Sequence, residues 1–209
     1  MITQKHIKEL DIEYDRQALE NFYHEIKHKA RPYIEVHTEY LEEDAEHSPY
    51  FRCICPKCLP TGKHEHSGNK HKFIRRLDRF KNLEVDRITA QLEKYTKCDS
   101  PNKPVMWIYE PGFVLPPHKD YLRHFSIMVP ILPAEGGATV DIYDDNLPII
   151  DKGSYKTVEH NGNNLIGIHT YKVGVPTALN ANQVIHGVRN QHTTRVFINY
   201  SGYSDWNLI

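Results

Sequence analysis

His118, Lys119 and Asp120 form an H-x-D triplet, and residues two apart on an extended strand share a face. An imidazole nitrogen and a carboxylate oxygen placed that way can reach one cation. A second histidine, His186, stands in VIHGVRN, and Arg195 follows nine residues later at the head of RVFINYS. Two histidines and one carboxylate on neighbouring strands make a facial triad, which occupies one face of an octahedron and leaves three positions open. That donor set suits Fe(II) with exchangeable ligands and is unlike a closed structural site. A dicarboxylate cosubstrate at such a metal needs a cation for its distal end, and a guanidinium offers a bidentate, permanently charged partner. Arg195 is placed for that role.

Other residues have two readings each. Arg123, three residues after Asp120, either binds a carboxylate of cosubstrate or substrate at the open metal face, or is a surface arginine. Asn180 and Asn190 bracket His186 and could orient a ligand, though turns use asparagine equally well. Ser126 is a pocket candidate, while His124, His160, His169 and His192 read as surface or core histidines and Trp206 as a core anchor. Cys53, Cys55 and Cys58 are followed by His64 and His66. Cys55, Cys58, His64 and His66 have the short spacings of a structural zinc site, and the alternative is a plain loop with free thiols. Lys63, Lys70, Lys72, Arg75, Arg76, Arg79 and Lys81 form a basic stretch that could steer an acidic substrate or nucleic acid, or could be a solvated helix face.

Two regimes of periodicity must position these residues. Leu19, Phe22, Tyr23 and Ile26 recur at helical steps behind Asp15, a candidate N-cap. Phe73, Ile74, Leu77, Phe80, Ile88, Leu92 and Tyr95 predict one long helix, or two broken near Asn82. Residues 42–72 read as a long polar loop. From Pro104 onward, short β-type runs alternate with turn residues: 105–110, 124–132, 138–143, 165–173, 176–180, 183–188 and 195–201. Runs this short and this closely spaced predict an antiparallel sandwich or barrel. The chain is therefore expected to be α+β and mainly β. Residues 1–103 are expected to be a helical elaboration buttressing one face of a jelly roll formed by 104–209, all in one structural domain.

Tyr109-Glu-Pro-Gly112-x5-His118-x-Asp120, followed by His186-Gly-Val188-Arg-Asn190-x4-Arg195, resembles the 2-oxoglutarate- and Fe(II)-dependent dioxygenases. The first half is similar to prolyl-hydroxylase-like and AlkB-like members, the second to the aspartyl/asparaginyl and free-proline hydroxylase branch. The resemblance covers roughly residues 104–201. It implies a double-stranded β-helix of the jelly-roll, cupin-like kind. It implies Fe(II) on His118, Asp120 and His186, and 2-oxoglutarate with its C5 carboxylate on Arg195 and the Tyr109 hydroxyl; Arg189 is the reserve anchor. The implied reaction consumes O2, releases succinate and CO2, and hydroxylates an amino-acid residue in a protein or a free amino acid. Trp107 stands where AlkB-like proteins carry asparagine, and their paired-arginine signature is missing after Arg195.

Composition sets outer limits. The chain has 209 residues, 39% of them hydrophobic and 25% charged, with a formal net charge of −1. That is enough chain for a sizeable core, and the balanced charge offers no global attraction to nucleic acid. No apolar run approaches a membrane span and no signal-peptide core is present, so a cytoplasmic enzyme is expected. Three rival readings stay open: an AlkB-like nucleic-acid demethylase, a non-catalytic cupin-like metal-binding module, and a zinc-stabilised nucleic-acid-binding protein.

Overall fold

In the computed structural model, Arg195–Gly202 is a strand whose alternate residues enter two different cores. Val196, Ile198 and Tyr200 pack toward the helices, whereas Phe197 faces a second sheet, and the two-residue period of a strand puts Arg195 and Asn199 on the Phe197 side. The structure describes residues 1–32, 74–78, 80–96, 104–111, 113–120, 123–134, 138–151, 156–158, 164–190, 192–202 and 205–209. In chain order the elements are β1 (Ile7–Glu9), α1 (Arg16–Ile26), β2 (Arg31–Pro32), β3 (Ile74–Leu77), α2 (Leu83–Thr96), β4 (Val105–Tyr109), β5 (Phe113–Lys119) and β6 (Phe125–Leu132). They continue as β7 (Thr139–Tyr143), β8 (Ile149–Asp151), β9 (Lys156–Val158), β10 (Leu165–Thr170), β11 (Thr177–Leu179), β12 (His186–Asn190) and β13 (Arg195–Gly202).

The strands form two antiparallel sheets, ordered β1-β11-β6-β13-β4-β3-β2 and β10-β7-β12-β5-β9-β8. Between them lies an apolar layer that includes Tyr109, Phe113, Met128, Val140, Ile142, Leu179, Val188 and Phe197. The other face of the seven-stranded sheet presents Met106, Ile108, Phe125, Ile127, Val129 and Ile131 to Leu19, Tyr23, Ile26, Val85, Ile88 and Leu92 of the two helices. The strict alternation in β4, β6 and β13 is what lets one sheet serve two cores at once.

Local signals explain most element ends. The Asp15 carboxylate accepts the Ala18 backbone N–H at 2.9 Å and caps α1. Asn82 caps α2, its Oδ1 accepting from the N–H groups of Glu84 and Val85. β10 stops at Thr170 rather than Val173, because the chain then turns through Gly174, whose φ of +79° a side chain would strain. β12 begins at His186 rather than 183, since Gln183 and Val184 donate back to the Asn180 carbonyl in a turn.

The periodicity over 73–95 misleads in its first half. Residues 74–77 are a strand, β3, paired with β4 in the register Ile74↔Tyr109 and Leu77↔Met106. Apolar residues three apart fit one helical turn and also the ends of a short strand, and pairing with β4 decides the matter. The region before residue 104 accordingly supplies β1, β2 and β3 to the larger sheet, as well as the two helices. Among the described residues, no helix is long and apolar enough to cross a membrane.

Candidate active site

β5 and β12 pair so that His118 stands directly opposite His186, and their ring centroids lie 4.3 Å apart. Directly opposed residues of antiparallel strands point to the same face, which brings together two histidines 68 positions apart in the chain. Asp120 lies just past the end of β5. Its N–H donates to the Ala181 carbonyl at 2.9 Å, and Asn182 Nδ2 donates to its carbonyl at 3.2 Å. The turn that leads into β12 is thereby latched to the Asp120 backbone. One Asp120 oxygen, Oδ1, then lies 3.6 Å from His118 Nε2.

One ligand atom from each of His118, Asp120 and His186 falls within 4.8 Å of the other two, the only such group among the described residues. His186 is 4% exposed and places Nδ1 3.0 Å from the Val184 carbonyl. A carbonyl only accepts, so Nδ1 carries the proton and Nε2 keeps its lone pair for a ligand role. Burial, with the charge of His118 adding to it, pulls His186 down to about 3, so the ring is neutral at pH 7. Burial opposes ionisation of Asp120, but the Arg123 guanidinium and the adjacent imidazoles of His118 and His186 outweigh it and hold the carboxyl well below the usual carboxylate range. The neutral His186 ring, a second imidazole and a carboxylate form a donor set that matches the needs of a divalent transition metal.

Arg195 is 2% exposed at the start of β13, opposite Tyr109. Its Nη1 donates to the Thr139 carbonyl of the other sheet at 3.1 Å, and Nη2 lies 3.5 Å from Met128 Sδ. The rings of Tyr171 and Phe197 sit 4.7 Å from the guanidinium carbon, and that of Tyr109 sits 5.6 Å away. Among the described residues, no carboxylate pairs with it. The Tyr171 hydroxyl beside it is buried and has no hydrogen-bond partner within bonding distance among the described residues. Burial pushes both Tyr109 and Tyr171 up to about 12, against the nearby Arg195 charge, so both remain phenols able to donate. A buried cation with no carboxylate partner among the described residues, beside a buried hydroxyl likewise without one, is the setting an anionic ligand would complete.

Arg123 faces a carboxylate of the protein itself: its Nε donates to Asp120 Oδ2 and its Nη1 to Asn199 Oδ1 at 2.9 Å. Ser126 is buried and hydrogen-bonded to Asn199. Asn180 is buried and donates to the Lys5 carbonyl, tying down the N-terminal strand. His124 and His192 are exposed, His169 is half-buried, and Trp206 packs on Phe125. The side chains of Arg189 and Asn190, together with Cys53, Cys55, Cys58, His64, His66, His160 and most of the basic stretch, lie outside the described residues. Tyr171 and Asn199 are the two site residues that reading the sequence missed. Alternation from Arg195 could have flagged Asn199, whereas nothing local marks Tyr171.

No family model and no curated protein sequence matches the chain. Solved structures do. A prolyl-4-hydroxylase from Pseudomonas putida is similar at a TM-score of 0.50 with 10% identity, over 96% of this chain and 94% of that one. HygX from Streptomyces hygroscopicus, with nickel and 2-oxoglutarate bound, is similar at a TM-score of 0.43 with 15% identity, over 63% and 70% of the two chains. A prolyl hydroxylase from Trichoplax adhaerens in complex with a hypoxia inducible factor peptide reaches 0.44 with 9% identity, over 62% of each. At these identities the likeness to the Pseudomonas enzyme is one of fold, and it extends over nearly the whole of both chains.

Proposed function

We propose that the protein is a 2-oxoglutarate- and Fe(II)-dependent dioxygenase whose two facing sheets form a double-stranded β-helix. The observation that carries this reading is the convergence of His118, Asp120 and His186 between the sheets that also bury Arg195 without a described counter-charge. In it, the three triad residues hold Fe(II), and Arg195 takes the C5 carboxylate of 2-oxoglutarate, with the Tyr109 hydroxyl as the expected second donor and the Tyr171 hydroxyl as a further one. When bound, the metal and cosubstrate supply an oxidant from O2, with succinate and CO2 as by-products and a hydroxylated C–H as product.

The chain's own contribution is positioning and exclusion of water. His186 presents Nε2 because Val184 occupies Nδ1, and Asp120 offers Oδ1 because Arg123 occupies Oδ2. Tyr109, Tyr171 and Phe197 wall the Arg195 guanidinium off from solvent and so strengthen its pairing with an anion. The substrate class within this reading is an amino-acid residue of a protein or a free amino acid.

The test is succinate formation from 2-oxoglutarate by protein reconstituted anaerobically with Fe(II) and then exposed to O2. Wild type should release succinate, and Asp120→Ala should release none while keeping the wild-type circular dichroism. Equal succinate from wild type and Asp120→Ala, or none from wild type that demonstrably holds Fe(II), would overturn the assignment.

A further inference from the structure

Asp120 has two carboxylate oxygens in different surroundings. Oδ1 faces His118, and Oδ2 accepts from Arg123. The arginine is itself braced. Its Nη1 donates to Asn199 Oδ1 at 2.9 Å, and Asn199 Nδ2 donates both to the Ile127 carbonyl at 3.2 Å and to Ser126 Oγ. A backbone carbonyl only accepts, so the Ile127 contact fixes which end of the Asn199 amide faces Arg123. Asn199 and Ser126 are 5% and 4% exposed, so their geometry is held by packing on β13 and β6. The direction of every bond in the chain Ile127–Asn199–Arg123–Asp120 is therefore determined. It starts on one sheet and ends on a carboxylate following β5 of the other.

We propose that Arg123, braced by Asn199, is a positioning residue that restricts Asp120 to a single-oxygen metal ligand and so keeps a third coordination position open. A carboxylate with both oxygens free binds a cation through one or both of them, and Arg123 removes that choice. A second Asp120 oxygen on the metal would occupy one of the three positions that a facial triad leaves for a chelating cosubstrate and O2. Arg123 is thereby assigned to the protein's own carboxylate and not to that of a cosubstrate. The inference rests on the metal-site reading above, and the test separates the two.

Mn(II) binding to the purified protein, followed by water-proton relaxation, counts the waters on the bound ion without any turnover. Arg123 is partly exposed, so Arg123→Leu is expected to fold, and circular dichroism checks this. The expected result is that Arg123→Leu binds Mn(II) with about one third fewer coordinated waters than wild type, as the second oxygen displaces one of three. Arg123→Lys, which keeps a cationic donor at Oδ2, should retain the wild-type count. Asn199→Leu, which removes only the brace, should shift toward Arg123→Leu. Complete loss of Mn(II) binding in a folded Arg123→Leu protein would overturn the single-oxygen role, since freeing the second Asp120 oxygen should add a ligand atom and not remove the site. If Arg123→Leu binds Mn(II) with the wild-type water count, the positioning role is wrong while the metal site stands. If wild type binds no Mn(II), Co(II) or Fe(II), the metal-site reading fails and this inference with it.

Discussion

Tyr171 and Arg195 each carry a cost: among the described residues the buried Tyr171 hydroxyl has no hydrogen-bond partner and the buried Arg195 charge has no carboxylate beside it. Both costs are relieved if an anion binds beside them. Arg195→Met should raise the 2-oxoglutarate requirement about 30- to 1000-fold, equivalent to about 2–4 kcal/mol, because the ligand's charge is then stranded in a desolvated pocket. Tyr171→Phe removes one hydrogen bond, and a rise of about 5-fold is expected. Without 2-oxoglutarate the order reverses. Tyr171→Phe should be as stable as wild type to urea or more so, since a buried hydroxyl with no partner among the described residues is replaced by hydrogen. A lower urea midpoint for Tyr171→Phe, or an unchanged 2-oxoglutarate requirement in Arg195→Met, would show that this pair is not the anchor.

At the scale of elements, the larger sheet depends on contacts that only strand pairing creates. Gly202 stands opposite Phe125 at the β13–β6 pairing, and a Cβ there would lie 1.9 Å from the Phe125 ring. Phe125 is fully buried against Trp206 and the helical core, so its ring has little room to give. Gly202→Ala should therefore destabilise by about 1–3 kcal/mol, read as a lowered urea midpoint with an unchanged m-value. Wild-type stability in that variant would mean that β13 ends before Gly202. The same dependence on pairing explains β3. Its four residues carry no turn signal or alternation strong enough to oppose the helical pattern around them, and their partner β4 lies about thirty residues further along the chain.

For the whole molecule, burial of tyrosines ties stability to alkaline pH. Tyr14, Tyr109, Tyr171 and Tyr200 are each pushed up to about 12, with burial the leading cause. In the unfolded chain they ionise near pH 10. Between pH 10 and 12 the unfolded state has therefore released protons that the native state retains, so stability falls as pH rises through that window and is unaffected by these groups below it. The loss is on the order of 1 kcal/mol per tyrosine per pH unit, against a total of about 5–15 kcal/mol for a domain. Urea midpoints should be level from pH 8 to 9.5 and fall steeply above 10. Tyrosinate absorbance should show at least four of the 13 tyrosines silent until the chain unfolds. Midpoints that stay level to pH 11 would contradict the burial of these rings.

Much of this is local and legible in the chain alone. Short β-type runs bounded by turn residues located β4, β6, β7, β10, β11 and β13 to within a few residues, and the 3.6-residue period with Asp15 located α1, because these signals depend only on near neighbours. The spacing of His118 and Asp120 likewise put them side by side. What lay beyond the sequence was decided by register between distant strands. The pairing of β5 with β12 sets His186 opposite His118, and the pairing of β13 with β6 brings Asn199 to Arg123 and turns that arginine onto Asp120. Tyr171 reaches Arg195 from beyond the end of β10, in the other sheet, with no sequence relation to it at all. Each of these contacts costs chain entropy to close and is stabilised only when the two sheets bury their shared face, so the tertiary structure alone determines them.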